Sequence, residues 1–302
     1  MTTDHDSAYD SLADEHGGDA RWAFGTGFDD PLSGVDTAIP GGVEAADLAV
    51  YCLMLADDAL VMSQRLTEWC TNAPELEEEV ALANIGLDLL GQARLLLARA
   101  GAADPSIPQR LAADLPHEDA LAYFRRAAEY RNVTLVEVDN GDFARSAVRL
   151  LAFSTWRLAL LDRLTSSRDP VLAAVAAKGV KEVTYHRDYA ARWVVRLGDG
   201  TDLSHDRVAA GLAATWPYVG ELFVSSDVEQ RLAAAGVGVD PAGLRAEFDD
   251  VMRQVLAAAR LQHPAAESTV DIAGRSGRHT EALVSLLAEM QELARAHPEA
   301  IW

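Results

Sequence analysis

The sequence is short of several residue types, and each shortage excludes a class of protein. Lys and Arg number 26 against 47 Asp and Glu, which gives a formal net charge of −21. Proteins that bind nucleic acid or anionic membranes neutralise phosphates with Lys and Arg, so this charge argues against both. The longest strictly apolar run, 48–56, is far below the roughly 20 residues that span a bilayer. We therefore expect a soluble protein with no nucleic acid and no membrane as partner.

Cysteine is scarce as well. Cys52 and Cys70 are the two cysteines of the chain, and both fall within one predicted helix. Their separation along a helix is about 27 Å, whereas a disulfide tolerates a Cα separation of roughly 7 Å. We predict two unpaired thiols that pack as small buried side chains. The amino terminus also lacks the basic and apolar regions of a secretory signal, which favours a cytoplasmic location.

The chain divides into an acidic arm and a helical domain. Residues 1–45 hold ten acids, one arginine and no sustained period, so we predict a disordered arm. Residues 46–302 are rich in Ala, Leu, Glu and Arg, and we predict one helical domain there. No alternation typical of strands and no fixed repeat is present.

Four long helices are predicted, at about 46–71, 75–100, 142–166 and 170–197. Shorter helices are predicted near 117–130, 204–223, 227–235, 241–262 and 279–296. The first long helix has one apolar stripe, whereas the second has two and is therefore expected to lie between neighbours. Asp169 and Pro170 predict the start of the fourth helix, and Gly198 predicts its end. This pattern predicts an all-α fold, a four-helix bundle with additional C-terminal helices.

A long four-helix bundle can hold a carboxylate-bridged di-metal centre. That centre needs a Glu from each of two helices and Glu-x-x-His from each of the other two, because residues i and i+3 share a helix face. The second helix has Leu89 and Gln92 at the expected Glu and His positions. The fourth helix keeps His186 but has Val183 three residues before it. The complete ligand set is therefore absent from the sequence.

Two adjacent acids of the first helix could be remnants of such a site. Asp58 lies beside the apolar stripe, whereas Asp57 is expected to point away from it. Because a half-buried carboxylate needs a partner, we expect Asp58 to pair with Arg157 or Arg65.

The fourth helix offers a second candidate, in which Glu182 precedes His186 by four residues. These side chains could form a residual metal or acid–base site. We favour the alternative, a hydrogen-bonded pair inside the core, because buried polar groups need partners.

A glycine-containing basic loop precedes the last helix. Its residues Arg275–His279 could form an anion-binding turn at the helix start. We favour a loop in which Thr280 or His279 caps the helix, since a basic loop is stable without a ligand.

Several motifs carry a resemblance to a known family. They span most of the sequence after the arm and include Arg65–Cys70, Ala73–Glu77, Ala81–Arg94, Asn140–Ala144, Ser167–Pro170, Lys181–His186, Arg196–Asp202, Gly277–Glu281 and Leu287–Gln291. In these motifs the chain resembles the structural subunit, designated C, of the bacterial 1,2-phenylacetyl-CoA epoxidase, a multicomponent ring-epoxidising monooxygenase.

The resemblance implies a ferritin-like subunit that has lost its di-iron ligands. It implies a structural, non-catalytic role beside a homologous catalytic di-iron subunit in aerobic phenylacetate degradation. Further expected partners are a reductase and a small subunit, in an assembly with a homodimeric or heterotetrameric core. No catalytic, metal-binding or cofactor-binding residue carries over, because the matching positions are Leu89, Gln92 and Val183.

Two other functions stay open at this point. One is an independent di-iron oxygenase that uses an irregular site made of Asp58, Glu182 and His186. The other is a helical interaction module unrelated to oxygenases.

Overall fold

The structure, a computed structural model, describes residues 34–264, 273–298 and 300. Within these residues the chain forms eleven α-helices and no strand, apart from an isolated bridge between Ala273 and Arg278. The predicted all-α class is confirmed.

The helices follow one another with short connections. In chain order they are α1 (Ala45–Thr67), α2 (Leu76–Ala103), α3 (Ser106–Ala112), α4 (His117–Tyr123), α5 (Thr134–Glu137), α6 (Phe143–Leu164), α7 (Pro170–Gly198), α8 (Asp202–Thr215), α9 (Asp227–Ala234), α10 (Arg245–Ala258) and α11 (Glu281–Ala296). The four long helices lie close to their predicted bounds, whereas α3 and α5 were not predicted. The predicted helix 204–223 ends in 3₁₀ turns at Trp216–Tyr218 and Gly220–Phe223.

Side-chain caps fix several of the helix starts. Asp142 accepts a hydrogen bond from the Arg145 amide at 2.9 Å, and Asp169 accepts one from the Leu172 amide at 2.9 Å. Such a cap stabilises a helix by roughly 1 kcal/mol. The predicted start of α7 at Pro170 is therefore confirmed, with Asp169 as its N-cap.

The long helices α1, α2, α6 and α7 form the bundle, and α1 is its most buried member. α1 packs along α2, α6 packs along α7, and α2 also contacts α7. The apolar stripe predicted for α1 is buried, but it is not the only buried face, because the other sides of this helix are covered as well. Residues off the stripe, among them Leu53, Met54, Leu60 and Val61, are at most 5% exposed.

Helix α2 has one covered face and one uncovered face. Its inner stripe, which includes Leu82, Ile85 and Leu89, is buried against the bundle. The prediction that neighbours cover both stripes is wrong for this chain alone, because Leu76 is 70% exposed and Leu87 is 64% exposed. The uncovered stripe is a surface that needs an explanation.

Helix α2 is also long and apolar enough to cross a membrane by length and composition alone. A core helix of a soluble protein passes the same test. Here the inner face of α2 is buried against helices of the same chain, so the test gives weak evidence for a membrane span.

The acidic arm falls partly within the described residues. Residues 1–33, the larger part of the predicted arm, lie outside them. Its last residues contact the helical body: Arg99 of α2 donates hydrogen bonds to the carbonyl oxygens of Thr37, at 2.6 Å, and Ala38, at 3.4 Å. Arg168 donates to the Gly41 carbonyl at 3.3 Å.

The two cysteines have different surroundings. Cys52 is buried in α1, as predicted, and burial raises the pKa of its thiol. Cys70 lies beyond the end of α1 and is exposed, so its predicted burial is wrong. The two thiols do not form a disulfide.

Candidate functional site

Polar side chains from three helices meet inside the bundle, in the region where a di-metal centre would lie. Gln92 of α2 bridges a side chain of α6 and a side chain of α7. Its Oε1 accepts a hydrogen bond from Nε of Arg157 on α6 at 3.0 Å, and its Nε2 donates one to Oε2 of Glu182 on α7 at 2.9 Å. The Nη1 of Arg157 also donates to the Leu55 carbonyl on α1 at 3.3 Å. These bonds connect all four helices of the bundle.

Arg157 places a positive charge at this point. Burial lowers the pKa of its guanidinium to about 10, while the nearby Asp58 carboxylate acts in the opposite direction. A guanidinium with that pKa stays protonated at neutral pH. The middle of the bundle therefore already holds a fixed cation.

Asp58 pairs with a residue from the far end of the chain. Its Oδ1 and Oδ2 accept hydrogen bonds from Arg275 at 3.0 and 2.8 Å, and its Oδ1 accepts a third from the Val133 amide at 2.8 Å. Burial raises the pKa of this carboxyl, and the charges of Arg275 and Arg157 oppose that rise. The predicted partners, Arg157 and Arg65, are wrong, because neither bonds directly to Asp58.

Asp57 is fully buried, so the prediction that it points away from the core is wrong. Arg125 donates to both of its carboxylate oxygens, with Nη1 to Oδ2 at 2.9 Å and Nη2 to Oδ1 at 2.5 Å. The Arg131 amide donates to the same carboxylate at 2.8 Å. Because α1 is covered on every side, both adjacent acids need internal partners, and each has an arginine.

His186 and Glu182 do not pair with each other, so the predicted His–Glu hydrogen bond is wrong. The Nε2 of His186 lies 3.0 Å from Oδ2 of Asp88 on α2. Glu182 instead accepts from Gln92 and lies 3.5 Å from Nζ of Lys178. Both side chains of α7 take partners on α2, since α2 packs against this part of α7.

These residues do not fit a di-iron centre. The side chains of Leu89 and Val183 are fully buried and carry no ligand atom. Asp58, Glu182 and His186 each bond elsewhere, and no group of three His, Cys, Asp or Glu side chains within the described ranges could hold a metal ion. The irregular site proposed from these three residues is therefore not assembled.

Two cationic side chains of the basic loop before α11, those of Arg275 and His279, point into the molecule. Arg275 donates to the Met54 and Arg131 carbonyls, at 3.0 and 2.7 Å, in addition to its pair with Asp58. His279 contacts Oε2 of Glu137 through Nδ1 at 2.7 Å. Arg275 and His279, two of the side chains that would bind an anion, are therefore held by carboxylates and carbonyls of this chain.

The start of α11 is also capped differently from the prediction. Thr280 is the N-cap residue, but its side chain makes no cap hydrogen bond. The Glu137 carboxylate instead accepts from the Thr280 amide at 2.6 Å and from His279. Burial lowers the pKa of the His279 ring. The hydrogen bond to Glu137 and the charge of the Glu137 carboxylate raise the pKa by more than burial lowers it, so the net shift is upward.

Open grooves on the described surface lie away from this network. A groove of about 550 Å³ runs beside α7 and α10, lined by residues such as Lys181 and Val255. A second, of about 240 Å³, lies beside Glu78, Tyr189 and Trp193. Neither groove is lined by the residues that form the polar network inside the bundle.

The sequence places Leu89, Gln92 and Val183 at the ligand positions and offers Arg157 as a partner of Asp58, but the observed bonds of Arg157 to Gln92 and to the Leu55 carbonyl were not predicted. A signal was present for Arg157, which falls on the inner stripe of α6 with Leu150, Phe153 and Leu164. A charged residue on an apolar stripe indicates a buried ion with an internal partner. No comparable signal identifies Arg275, since its partner lies 217 residues earlier.

Comparisons with known proteins agree with the fold and the motifs. A family model described as phenylacetic acid catabolic protein matches residues 37–302. The 1,2-phenylacetyl-CoA epoxidase subunit designated C, from Escherichia coli strain K12, is 42% identical over 255 residues, which cover 84% of this chain and 99% of that protein. The family has a ferritin-like helical fold, so that prediction is confirmed. The chain belongs to the phenylacetic acid catabolic protein family.

Proposed function

We propose that the chain is the non-catalytic structural subunit of a phenylacetyl-CoA 1,2-epoxidase. The observation that carries this proposal is the interior of the bundle. All four long helices are present, but Leu89, Gln92 and Val183 stand where ligands would be needed, and the Arg157 charge lies among them. Such an interior repels metal cations by charge and offers them no ligand set.

The interior also indicates how the chain serves as a support. In a di-iron protein the metal ions neutralise the carboxylates of the four helices. Here the buried carboxylates Asp57 and Asp58 are neutralised by Arg125 and Arg275 instead. The bundle therefore keeps its form without metal, and it offers a preformed surface to a docking partner. Support of this kind affects catalysis because a shift of about 1 Å near reacting atoms can cost a hundredfold in rate.

The proposed partner is the homologous catalytic di-iron subunit of the epoxidase, with a reductase and a small subunit in the wider assembly. The chain would work in the cytoplasm, in keeping with its two unpaired thiols. Residues 46–302 of the chain would form the ferritin-like domain, and residues 1–45 would form an acidic arm outside that domain.

Coexpression tests this proposal. The chain is produced together with the catalytic subunit of the same organism, and only the latter carries an affinity tag. We expect both chains to copurify in constant ratio and to elute from size exclusion as one species at micromolar concentration. Two chains that elute separately under these conditions would contradict the proposal. Bovine serum albumin tagged in the same way serves as the control for nonspecific capture.

A further inference from the structure

Side chains of α2 and α7 meet at one carboxylate oxygen beside the smaller surface groove. The Oη of Tyr189 donates a hydrogen bond to Oε2 of Glu78 at 2.6 Å, and Nε1 of Trp193 donates one to the same oxygen at 2.8 Å. All three side chains are half-buried and line the groove of about 240 Å³. A phenol and an indole therefore share one proton acceptor. We call these three residues the Tyr–Glu–Trp cluster.

Other tyrosines and tryptophans have different hydrogen-bond partners. Tyr130 donates to a backbone carbonyl oxygen, and the phenol oxygen of Tyr51 accepts from a backbone amide. The indole Nε1 of Trp69 donates to the hydroxyl of Ser146. In the part of the chain that the structure describes, no tyrosine or tryptophan outside the cluster donates to a carboxylate. The cluster therefore places an acid–base partner beside two oxidisable rings at one position.

A carboxylate beside a phenol assists its oxidation. A phenol that has lost an electron is a strong acid, so the electron leaves readily only when a base takes the proton in the same step. The base must lie within hydrogen-bond reach, about 2.6–3.2 Å between heavy atoms, and Glu78 meets this condition for Tyr189. Burial, then the hydrogen bond to Glu78 and its charge, raise the pKa of Tyr189, so the phenol keeps its proton until it is oxidised.

The surroundings favour Tyr189 over Trp193 as the ring that holds the radical. The guanidinium of Arg196 lies 4.9 Å from the centroid of the Trp193 ring. A fixed cation at this distance raises the energy of a second positive charge on that ring, so it disfavours electron loss there. On the other side of Tyr189, the ring of Tyr185 lies 6.4 Å away and is half exposed. Tyr185 therefore connects Tyr189 to the surface.

We propose that Tyr189 is a one-electron donor and that Glu78 is its proton acceptor. An oxygen-centred radical at the surface gains one electron from the Tyr189 phenol and becomes an anion. The O–H bond of the phenol breaks, the proton forms a new O–H bond with Oε2 of Glu78, and a neutral tyrosyl radical stays on Tyr189. A thiolate reverses the step: its electron and the Glu78 proton restore the phenol, and a thiyl radical is left. The cluster thus traps oxidising equivalents at the surface of the chain.

Flash photolysis of the purified chain tests the proposal. A photoexcited ruthenium tris(bipyridine) complex, oxidised by persulfate, supplies the one-electron oxidant, and electron paramagnetic resonance of freeze-quenched samples measures the radical. We expect a tyrosyl signal in the wild-type chain and the loss of most of this signal in Tyr189→Phe. Tyr218→Phe is the matched control and should keep the signal, because Tyr218 is also half-buried but makes no hydrogen bond to a carboxylate of the described residues.

Glu78→Gln isolates the proton transfer. The amide oxygen of glutamine can still accept both hydrogen bonds, but it does not take up the phenol proton at neutral pH. We expect the tyrosyl radical to form at least roughly tenfold more slowly, since a positioned base contributes about 10²–10⁴-fold to a proton transfer. Glu79→Gln makes the same change of charge at the adjacent residue, which is also half-buried, and it should form the radical at the wild-type rate.

Three results would overturn the inference. They are an undiminished signal in Tyr189→Phe, equal rates in Glu78→Gln and Glu79→Gln, and a tryptophanyl signal that Trp193→Phe removes. Circular dichroism spectra show whether each variant retains its helices, and if Tyr189→Phe does not, the comparison of the two glutamine variants decides. All of these measurements use the chain alone, so their failure leaves the copurification test of the proposed function unaffected.

Discussion

The inside of the bundle and the outer face of α2 differ in whether their side chains have partners within the chain. Inside, two carboxylates that are costly to bury are matched by arginines: Asp57 by Arg125, and Asp58 by Arg275. Outside, apolar groups that are favourable to bury are left uncovered, with Leu87 64% exposed. The two faces of α2 lie only one helix diameter apart, yet the inner face is covered by the same chain and the outer face is not.

This difference separates stability from function in the molecule. The buried carboxylates of Asp57 and Asp58 need no partner from outside the chain, because Arg125 and Arg275 of the same chain pair with them. The uncovered stripe of α2 contributes no burial free energy in the isolated chain. It would contribute about 25 cal/mol per Å² of apolar surface if another molecule covered it. Changes to the interior should therefore alter folding, and changes to the stripe should alter association.

The largest expected effect comes from breaking an interior ion pair. Asp57→Ala leaves the guanidinium of Arg125 buried without its carboxylate. Removal of one partner of a buried pair costs about 3–5 kcal/mol, because the remaining charge stays uncompensated. We expect a loss of this size in the free energy of unfolding, measured by urea denaturation followed by circular dichroism.

Asp188→Ala is the matched control for this change. Asp188 pairs with Arg192 at 2.8 Å, but both side chains are more than half exposed. Exposed pairs contribute about 0–1 kcal/mol. Equal losses for the interior and the exposed pair would contradict the description of the interior.

A second comparison uses two leucines of the same helix that face opposite ways. Leu89→Ala removes a fully buried side chain and should cost about 2–5 kcal/mol through lost burial and a cavity. Leu87→Ala should change the free energy of unfolding of the isolated chain by less than about 0.5 kcal/mol. Urea denaturation of the isolated chain measures both values. Similar losses at the two positions would show that the stripe of Leu87 is covered within the chain.

A smaller effect is expected from the amide that joins α2 to α6 and α7. Gln92→Leu leaves Nε of Arg157 and the Glu182 carboxylate without this partner, which should cost about 1–3 kcal/mol. The exposed Gln254 on α10 provides the control, and Gln254→Leu should change stability by less than about 0.5 kcal/mol. A neutral result for Gln92→Leu would mean that the network contributes nothing to the free energy of unfolding.

The smallest effect is a pH dependence at the start of α11. The pKa of His279 is raised in the folded chain, chiefly by Glu137, so the proton is bound more tightly there than in the unfolded chain. Its contribution is fully present below the ordinary His pKa near 6.5 and is lost as pH rises through the folded value. The stability difference between the wild-type chain and His279→Gln should therefore be larger at about pH 5.5 than at about pH 8.5.

Unfolding curves at the two pH values check this expectation. His297→Gln, at an exposed histidine just beyond the end of α11, supplies the control. A difference between the wild-type chain and His279→Gln that grows as pH rises would contradict the assigned pair with Glu137.

The helices could be predicted well because residues close in sequence determine where each one ends. Asp169 and Pro170 start α7 at the predicted residue, and the Asn140–Gly141 turn precedes α6. The residue types at the expected ligand positions, Leu89, Gln92 and Val183, could also be assigned from helical spacing, and the expectation that the chain binds no iron stays a prediction.

The packing between helices could not be predicted in the same way. Helix α1 carries Asp57, Asp58 and Arg65, so its periodicity resembles that of a helix with one exposed side. The structure buries these residues because partners from distant parts of the chain neutralise them, and periodicity within one helix holds no information on such partners. For α2 the error is the reverse: two apolar stripes indicate two covered faces, but this chain covers only one of them.

Iron analysis of the purified chain is the sharpest test of its proposed non-catalytic role. The chain is produced alone in iron-supplemented medium and measured by inductively coupled plasma mass spectrometry and by near-ultraviolet absorption. We expect trace iron and no oxo-bridged absorption, because Leu89 and Val183 offer no ligands and Arg157 occupies the centre with a positive charge. Near-stoichiometric iron with an oxo-bridged band would contradict it.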